Sequence, residues 1–229
     1  VVDALRNDTK DKVLVSKIEN SEGLKNVSSI ILKSDAVMID RGDLAAEIGF
    51  DALYNAVEKI SRETKNYGKP LIMATENLES MSDRDTPSKS EVMSLAHSIS
   101  IGADCIMLSE ETATAKNGKY IVKWLSNFLK QSNIEVNLSR APLVNQKYYM
   151  IWNFIREMRG IPVLLMSKSG HALFSYMANL PDQHVSIVTN NQRIKDVIKL
   201  FSNKVRIINA NLDDTVPIET IWEVIKNNY

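Results

Sequence analysis

The sequence predicts an α/β fold of two units, each with a parallel β-sheet covered by helices. Short β-branched or apolar runs alternate with longer helical periodicities along most of the 229 residues, which is the pattern of buried parallel strands joined by helices. Within residues 12–130 the connections are short, so we expect four consecutive βα units there. A polar, irregular stretch at 131–147 then separates this block from a smaller α/β unit at 148–229.

Four short apolar runs are the predicted strands of the first unit: Val13–Ser16, Ala36–Ile39, Leu71–Ala74 and Cys105–Leu108. Each run precedes a segment of helical periodicity. These helices begin after Ser21, span Phe50–Tyr67, run from the capping box of Ser88 and Glu91 to Gly102, and span Tyr120–Leu129. Gly68 stands where the helix that begins at Phe50 needs a C-terminal cap.

The second unit repeats the alternation on a smaller scale. Its predicted helices are Tyr148–Met158, one from His171, Gln192–Phe201 and Ile218–Asn227. Its predicted strands are Pro162–Met166, Val185–Thr189 and Val205–Ile208. This order predicts a small open α/β unit with helices on its parallel sheet.

The composition excludes several classes of protein. The 28 basic and 28 acidic residues leave a formal net charge of zero, which argues against nucleic acid or an anionic membrane surface as the main partner. No apolar stretch approaches the roughly 20 residues needed to cross a bilayer, and we expect no membrane partner. The single cysteine, Cys105, cannot form an internal disulfide; we expect it to be a small buried residue, which fits a reducing, intracellular compartment.

Polar or charged side chains follow every predicted strand of the first unit. Because the carboxyl ends of parallel strands meet at one edge, these side chains should lie close together. Glu19 and Asp43 follow neighbouring strands, and two carboxylates suit a hard cation such as Mg²⁺. Lys17 adds a fixed positive charge, and Thr75 adds a hydroxyl. The backbone amides of Gly42 and Asp43 lie near a helix start and suit an anion. The residues alone therefore indicate a metal-dependent enzyme for a phosphorylated or carboxylated small molecule.

Four segments of the first unit closely resemble the signatures of the pyruvate kinase family. In the family's order and spacing they are SKIENSEG (16–23), DRGDLAAEI (40–48), ATENLESM (74–81) and MLSEETA (107–113). The segments GKP (68–70) and TPSKSE (86–91) fit between them. In the second unit, MSKSG (166–170) and VTNN (188–191) resemble the family's smaller domain more loosely.

The resemblance implies a specific architecture. Residues 1–130 would form the last four βα units of a parallel (β/α)8 TIM-type barrel, followed by a linker at 131–147. Residues 148–229 would form most of a small, open, three-layer α/β C-terminal domain. Four βα units leave two open edges, so we expect the chain to be a fragment of a longer polypeptide or to be completed by another chain.

The resemblance also implies an activity, the transfer of phosphate from phosphoenolpyruvate to ADP to give pyruvate and ATP, the last step of glycolysis. Lys17 would stabilise charge on the phosphoryl group in transit and on the enolate. Glu19 and Asp43 would hold Mg²⁺ or Mn²⁺. The amides of Gly42 and Asp43 would bind the substrate carboxylate, and Thr75 would contact the substrate and help to deliver the proton. K⁺ is expected in the full enzyme, although its ligands are not in this chain.

Further implied properties concern regulation, assembly and location. The loop of Ser167, Lys168, Ser169 and Gly170 resembles the loop that holds a sugar-phosphate effector in some members; a solvated turn is the alternative. Family members are typically tetramers, which predicts a homo-oligomer. We expect a cytoplasmic location, with an organelle copy as the alternative.

Five positions depart from the residues that are usual in the family. Asp40 replaces a small residue, Ala45 a glycine, Glu76 a glutamine, Glu110 a glycine, and Lys89 an arginine that reaches a neighbouring subunit's site. Glu76 and Glu110 add negative charge around a site for an anion, which would weaken substrate binding. Lys89 keeps the charge but loses the bidentate fork of arginine. These changes predict a divergent member, slow or differently regulated, with its lysine and metal positions intact.

Two other functions stay open. One is a metal-dependent lyase or aldolase of the broader phosphoenolpyruvate-binding barrels, which share a carboxylate-plus-metal site; Lys17 and Thr75 favour the kinase over it. The other is a non-catalytic subunit that regulates or assembles with an active kinase, as the half barrel and the charge changes suggest. Magnesium-dependent binding of phosphoenolpyruvate would favour either enzyme over the subunit.

Overall fold

The computed structural model describes residues 2–9, 12–136, 154–155, 157–158, 163–178, 185–201 and 205–208, together with Glu219, Glu223 and Lys226. The strands within these ranges are β1 (Val15–Ile18), β2 (Ala36–Asp40), β3 (Leu71–Ala74), β4 (Cys105–Ile106), β5 (Val163–Met166), β6 (Val185–Val188) and β7 (Val205–Ile208). The helices are α1 (Val2–Asp8), α2 (Ser21–Lys25), α3 (Val27–Lys33), α4 (Arg41–Ile48), α5 (Phe50–Asn66), α6 (Lys89–Ser100), α7 (Glu110–Ala113), α8 (Gly118–Gln131), α9 (His171–Ala178) and α10 (Gln192–Ile198), with a 3₁₀ turn at Glu79–Ser82.

The strands form two parallel sheets in sequential order. One sheet has the order β1-β2-β3-β4 and the other β5-β6-β7. Val15 pairs with Ala36, Val37 with Leu71, and Ile72 with Cys105, so the carboxyl ends of the first four strands lie at one edge. Helices connect successive strands of each sheet, which confirms the predicted α/β class and a partial barrel of βα units.

The first and fourth strands differ from their predicted bounds. β1 begins two residues later than expected and includes Lys17, because the Leu14 amide bonds to the side chain of Asp35 and not to a backbone carbonyl of a neighbouring strand. The Leu14 amide donates to the Asp35 carboxylate at 2.9 Å, and Val13 packs against the core of the second unit. β4 ends at Ile106, although the Met107 amide still bonds to a β3 carbonyl at 2.9 Å. The third strand has its predicted bounds.

Local sequence signals predicted some of the observed helix ends and missed others. The capping box of Ser88 and Glu91 is present at the start of α6. Gly68, with φ 63°, follows the last turn of α5 as predicted. The helix expected after Ser21 is instead two helices, and its N-terminal cap is Asn20, whose side chain accepts from the Gly23 amide at 2.8 Å. The short helices α1 and α7 add to the predicted set, and α4 is the helix whose start was expected near Gly42.

Apolar side chains form a separate core in each unit. In the first, buried residues of β1 to β3 pack against α3 and α5; they include Ile18, Ile31, Ile39, Ile60 and Met73. In the second, Leu173, Ile187 and Ile194 lie at the centre of the sheet and its helices. A further cluster lies beyond the strand ends and packs Leu95 of α6 against α8. The first core fixes the sheet edge at which the polar residues lie.

Several predicted features fall wholly or partly outside the described residues. They are the linker at 131–147, of which 132–136 are described after α8, and the helices Tyr148–Met158 and Ile218–Asn227. The domain boundaries therefore stay predictions. Among the described residues, no helix is both long and apolar enough to cross a membrane.

Candidate active site

Lys17 and three carboxylates form the centre of the polar edge. The Lys17 Nζ atom lies 2.6 Å from Glu19 Oε2, 2.8 Å from Asp40 Oδ2 and 3.3 Å from Asp43 Oδ2. The structure thus brings together the lysine and both carboxylates that the sequence singled out, and adds a third. The pKa of Lys17 is raised above its usual range, chiefly by the hydrogen bond to Asp40 and then by that to Glu19, so the ammonium stays charged at neutral pH.

Asp40 is the most buried member of this group. It ends β2 and is the N-terminal cap of α4, where its Oδ1 accepts from the Asp43 amide at 3.3 Å. Its side chain is 6% exposed, against 42% for Lys17 and 64% for Asp43. Burial pushes the pKa of Asp40 upward, but hydrogen bonds from Lys17, the Asp43 amide and Thr75 outweigh it and leave the pKa below its usual value. The carboxylate is therefore held ionised.

The three carboxylates fit a divalent cation. One oxygen each from Glu19, Asp40 and Asp43 lies within 4.8 Å of the others. Carboxylate oxygens are the ligands that Mg²⁺ takes in proteins, where it also keeps bound waters. The Lys17 ammonium lies among these oxygens, so a cation there would neutralise the excess negative charge together with the lysine.

The Gly42 and Asp43 amides lie in the first turn of α4, where the helix dipole favours an anion. Both are directed at acceptors within the protein: the Gly42 amide at Thr75 Oγ1, 3.2 Å away, and the Asp43 amide at Asp40 Oδ1. Thr75 Oγ1 in turn lies 3.0 Å from Asp40 Oδ1 and 2.8 Å from the Ala74 carbonyl, and can donate to either. The two amides and the Thr75 hydroxyl therefore lie close together around Asp40, and their binding of an anion stays a prediction.

Arg41 holds the segment that carries Thr75. Its buried guanidinium donates through Nη2 to the Thr75 carbonyl at 2.6 Å, the Glu76 carbonyl at 2.9 Å and Asn77 Oδ1 at 3.0 Å. Its Nη1 donates to Ser94 of α6. Thr75 and Glu76 have φ of 59° and 50°, in the left-handed region that most residues avoid. The arginine thus fixes a strained turn and, with it, the direction of the threonine hydroxyl.

Sequence reasoning assigned no role to Arg41 or Asn77 and treated Asp40 only as a departure. Asn77 is fully buried and donates to the Met107 carbonyl at 2.7 Å, which joins the ends of β3 and β4. The spacing of Asp40 to Asp43 is a readable helix-cap signal. No local pattern signals the contacts of Arg41 with the Thr75 carbonyl or of Asn77 with the Met107 carbonyl, because these partners lie 30 or more positions away along the chain.

The other four residues that depart from those usual in the family differ in their exposure to solvent. Glu76 and Glu110 are exposed, and the Glu76 carboxylate lies beside Gly42, 3.9 Å from where a Cβ would be. Lys89 is exposed at the first residue of α6. Ala45 is buried, 5% exposed, on the inner face of α4. Of the two added acids, Glu76 is therefore the one whose carboxylate lies beside the predicted anion site.

The predicted effector loop joins β5 to α9. Ser167 and Gly170 are buried, whereas Lys168 and Ser169 are exposed. The Gly170 amide donates to Ser167 Oγ at 2.9 Å, and the Lys168 carbonyl accepts from Asn191 at 3.0 Å. Gly170 has φ 86°, which only glycine adopts readily. These contacts describe an ordered turn, and its effector role stays a prediction.

Comparisons with known proteins agree on one family. The family model described as pyruvate kinase, barrel domain, matches residues 1–123. The pyruvate kinase of Leishmania mexicana is 34% identical over 154 residues, which is 67% of this chain and 29% of the relative. The chloroplastic pyruvate kinase isozyme G of Nicotiana tabacum is 30% identical over 217 residues, which is 90% of this chain and 38% of the relative.

A solved structure extends the similarity through both units. The crystal structure of pyruvate kinase from Pyrobaculum aerophilum matches with a TM-score of 0.83 and 26% identity, over 98% of this chain and 54% of that one. The chain spans less than half the length of the curated relatives it matches. With the family model matching more than half of the chain, the conclusion is that this chain belongs to the pyruvate kinase family.

Proposed function

We propose that the protein containing this chain transfers the phosphoryl group of phosphoenolpyruvate to ADP, with this chain supplying part of the active site. The observation that supports the proposal most is the grouping of the Lys17 ammonium with the carboxylates of Glu19 and Asp43, at 2.6 Å and 3.3 Å. Phosphoryl transfer depends mainly on positioning and on stabilising negative charge. A fixed cation beside ligands for a metal ion is suited to both.

Each side chain has a definite role in this proposal. Lys17 stabilises negative charge on the phosphoryl group in transit and on the enolate oxygen that it leaves. The amides at the start of α4 bind the substrate carboxylate, since the first turn of a helix favours an anion. Thr75 holds a proton at its hydroxyl beside the same place and helps to deliver it to the enolate carbon.

Glu19 and Asp43 hold Mg²⁺ or Mn²⁺ in this proposal. When bound, the ion supplies positive charge that offsets the charge of the phosphoryl oxygens. The carboxylates fix its place beside Lys17, and Asp40 holds the lysine from the buried side. The effector loop, K⁺ dependence and tetrameric assembly stay parts of the proposal that rest on the family.

The test is ADP-dependent release of pyruvate by the longest native polypeptide that contains this chain, with Mg²⁺ present. We expect turnover in the wild type and a loss of about 10²–10³-fold in kcat for Lys17→Ala, since preorganised charge commonly contributes that much. Lys25→Ala is the matched control, because it removes an exposed lysine at the end of α2. Equal turnover of Lys17→Ala and Lys25→Ala would contradict the role of Lys17.

A second candidate is a non-catalytic subunit that binds to an active kinase. The observation that favours it is the engagement of both α4 amides by acceptors of the protein itself. A folded wild type that binds Mn²⁺ but shows neither turnover nor binding of phosphoenolpyruvate would favour this candidate. Metal-dependent binding of phosphoenolpyruvate without ADP-dependent turnover would favour the lyase instead.

A further inference from the structure

The Asp40 carboxylate is engaged through both of its oxygens by three donors. Oδ1 lies 3.3 Å from the Asp43 amide and 3.0 Å from Thr75 Oγ1, while Oδ2 lies 2.8 Å from Lys17 Nζ. The donors come from three separate segments: β1, the start of α4 and the residue after β3. An acceptor that gathers donors from three segments is arranged as a bound carboxylate ligand would be.

These donors are the ones that the proposed function gives to the substrate. Phosphoenolpyruvate brings a carboxylate that needs the α4 amides and the Thr75 hydroxyl, and negative charge that needs Lys17. The remaining amide, that of Gly42, is directed at Thr75 Oγ1 at 3.2 Å. A substrate carboxylate therefore meets donors that already have an acceptor, and the nearest competing group is a second negative charge.

Capping of α4 does not by itself account for this arrangement. A helix cap uses one side-chain oxygen, and serine or asparagine serves equally well. Asp40 uses its second oxygen to pair with Lys17, and its side chain is only 6% exposed. The pairing with both the lysine and the threonine requires a carboxylate at this position.

From this geometry we infer that Asp40 is a specificity-determining residue that occupies the place of the substrate carboxylate. The inference rests on the proposed function, because that function names the donors. A substrate must displace the Asp40 side chain or share its donors, so Asp40 lowers the affinity for carboxylate-bearing substrates. Ligands that bind through phosphate alone compete with Asp40 only at Lys17, and not at the α4 amides and Thr75.

A different role for Asp40 makes the opposite prediction. One oxygen of Asp40 lies within 4.8 Å of one oxygen each of Glu19 and Asp43, as a third metal ligand would. If Asp40 acts mainly on the metal, its removal weakens Mn²⁺ binding and weakens substrate binding with it. If it acts as inferred, its removal leaves Mn²⁺ binding within a few-fold and strengthens substrate binding.

The experiment measures binding directly on the longest native polypeptide that contains this chain. Titration calorimetry gives Kd for phosphoenolpyruvate, pyruvate and inorganic phosphate in saturating Mn²⁺, and electron paramagnetic resonance gives Kd for Mn²⁺. The variants are Asp40→Ala, Asp40→Ser and Asp40→Asn. Serine keeps the helix cap if the alanine variant does not fold, and asparagine keeps the acceptor without the charge. Asp51→Ala is the control, because it removes an exposed carboxylate from α5.

We expect Asp40→Ala and Asp40→Ser to bind phosphoenolpyruvate and pyruvate about tenfold more tightly, equivalent to about 1.4 kcal/mol. Asp40→Asn should lie between them and the wild type, and phosphate should change least. Unchanged or weaker binding of both carboxylates by the serine variant would overturn the inference, as would a loss of Mn²⁺ affinity of the same size.

Turnover separates this inference from the proposed function. Tighter carboxylate binding by Asp40→Ser, with no ADP-dependent pyruvate release from any variant, overturns the function and supports the inference. Turnover in the wild type with unchanged carboxylate affinity in the serine variant supports the function and overturns the inference. If neither the wild type nor the variants bind phosphoenolpyruvate or pyruvate, both are overturned.

Discussion

Arg41 carries much of the local energetics of the site. A buried guanidinium is costly unless its donors are satisfied; here Nη2 lies within hydrogen-bond distance of three acceptors in the turn after β3, while the buried Nε has no partner among the described residues. The left-handed backbone of Thr75 and Glu76 costs about 1–3 kcal/mol per residue unless contacts hold it. Burial also lowers the pKa of Arg41 below its usual range, although the group stays charged at neutral pH.

At the scale of single residues, we predict that Arg41→Lys lowers both the free energy of unfolding and the affinity for phosphoenolpyruvate. An ammonium cannot present the planar fork, so the three acceptors and Ser94 cannot all be kept. We expect a loss of about 2 kcal/mol in the free energy of unfolding, since each unsatisfied buried group costs about 1–3 kcal/mol. Phosphoenolpyruvate affinity should fall about tenfold with the displacement of Thr75.

Urea unfolding and calorimetric titration of the longest native polypeptide check this prediction. Arg62→Lys, on the exposed face of α5, is the matched control and should change neither quantity. An Arg41→Lys variant that loses stability but binds phosphoenolpyruvate normally would show that the arginine supports the fold without positioning Thr75.

At the scale of elements, Glu91 joins α6 to the 3₁₀ turn at Glu79–Ser82. In the capping box it accepts from the Ser88 amide at 2.7 Å, and it also accepts from the Ser80 amide at 2.8 Å. The side chains of both serines donate to the same carboxylate. Burial pushes its pKa upward, but the hydrogen bonds from both serines outweigh this and leave the pKa below its usual value.

We predict that Glu91→Ala destabilises the protein by about 1–2 kcal/mol at pH 7, the usual range for a lost cap and its hydrogen bonds. The depressed pKa means that this contribution is complete above the ordinary value of 4.5 and declines as the pH falls through the folded-state pKa. Urea midpoints of wild type and variant at pH 7 and in the acid range check it. A difference that stays constant as the pH falls would contradict the ionic origin of the contribution.

At the scale of the whole molecule, charged and polar groups join the two units. Asp35, which precedes β2, pairs with Arg6 at 2.8 Å and with Arg193 of α10 at 3.3 Å. The Lys69 ammonium lies 3.9 Å from the centre of the Phe174 ring on α9. Gly68 is in direct contact with α9, since a Cβ there would lie 1.8 Å from the Phe174 carbonyl oxygen.

We predict that this junction makes stability rise with pH. Burial lowers the pKa of Lys69 to about 8; Asp35 opposes the change, and Arg193 and Arg6 add to it. Between pH 8 and the ordinary lysine value of 10.5 the unfolded chain binds more protons than the folded one, so stability increases with pH across that window. At about 1.4 kcal/mol per pKa unit, the full increase for this shift is roughly 3–3.5 kcal/mol.

Lys69→Met should remove that increase, because methionine keeps the apolar stem and loses the charge. Urea midpoints of the two proteins between pH 7 and 10.5 are the measurement, and their difference cancels the other alkaline titrations. Lys59→Met, an exposed position on α5, is the control and should keep the increase. A parallel pH profile for wild type and Lys69→Met would contradict the assignment.

Much of the architecture could be predicted from local patterns in the chain. Alternating apolar runs and helical periodicities place all seven described strands to within two residues, because each element is stabilised by its own buried face. The cap at Ser88 and Glu91 and the glycine at position 68 could be predicted because a cap uses neighbours within a few residues. Polar residues at strand ends likewise brought Lys17, Glu19 and Asp43 into one hypothesis.

By itself, then, the sequence determined which stretches form strands and helices, which edge of the sheet is polar and which family the chain resembles. Tertiary structure alone decided that Asp40 pairs with Lys17 and Thr75, that Arg41 holds the Thr75 turn, and that the half-buried Lys69 packs against the second unit. The physical reason is the separation along the chain between the residues that interact. Propensities, caps and periodicities act over a few residues, whereas these contacts join groups about 20 to more than 100 positions apart, whose meeting depends on how the sheets and helices pack.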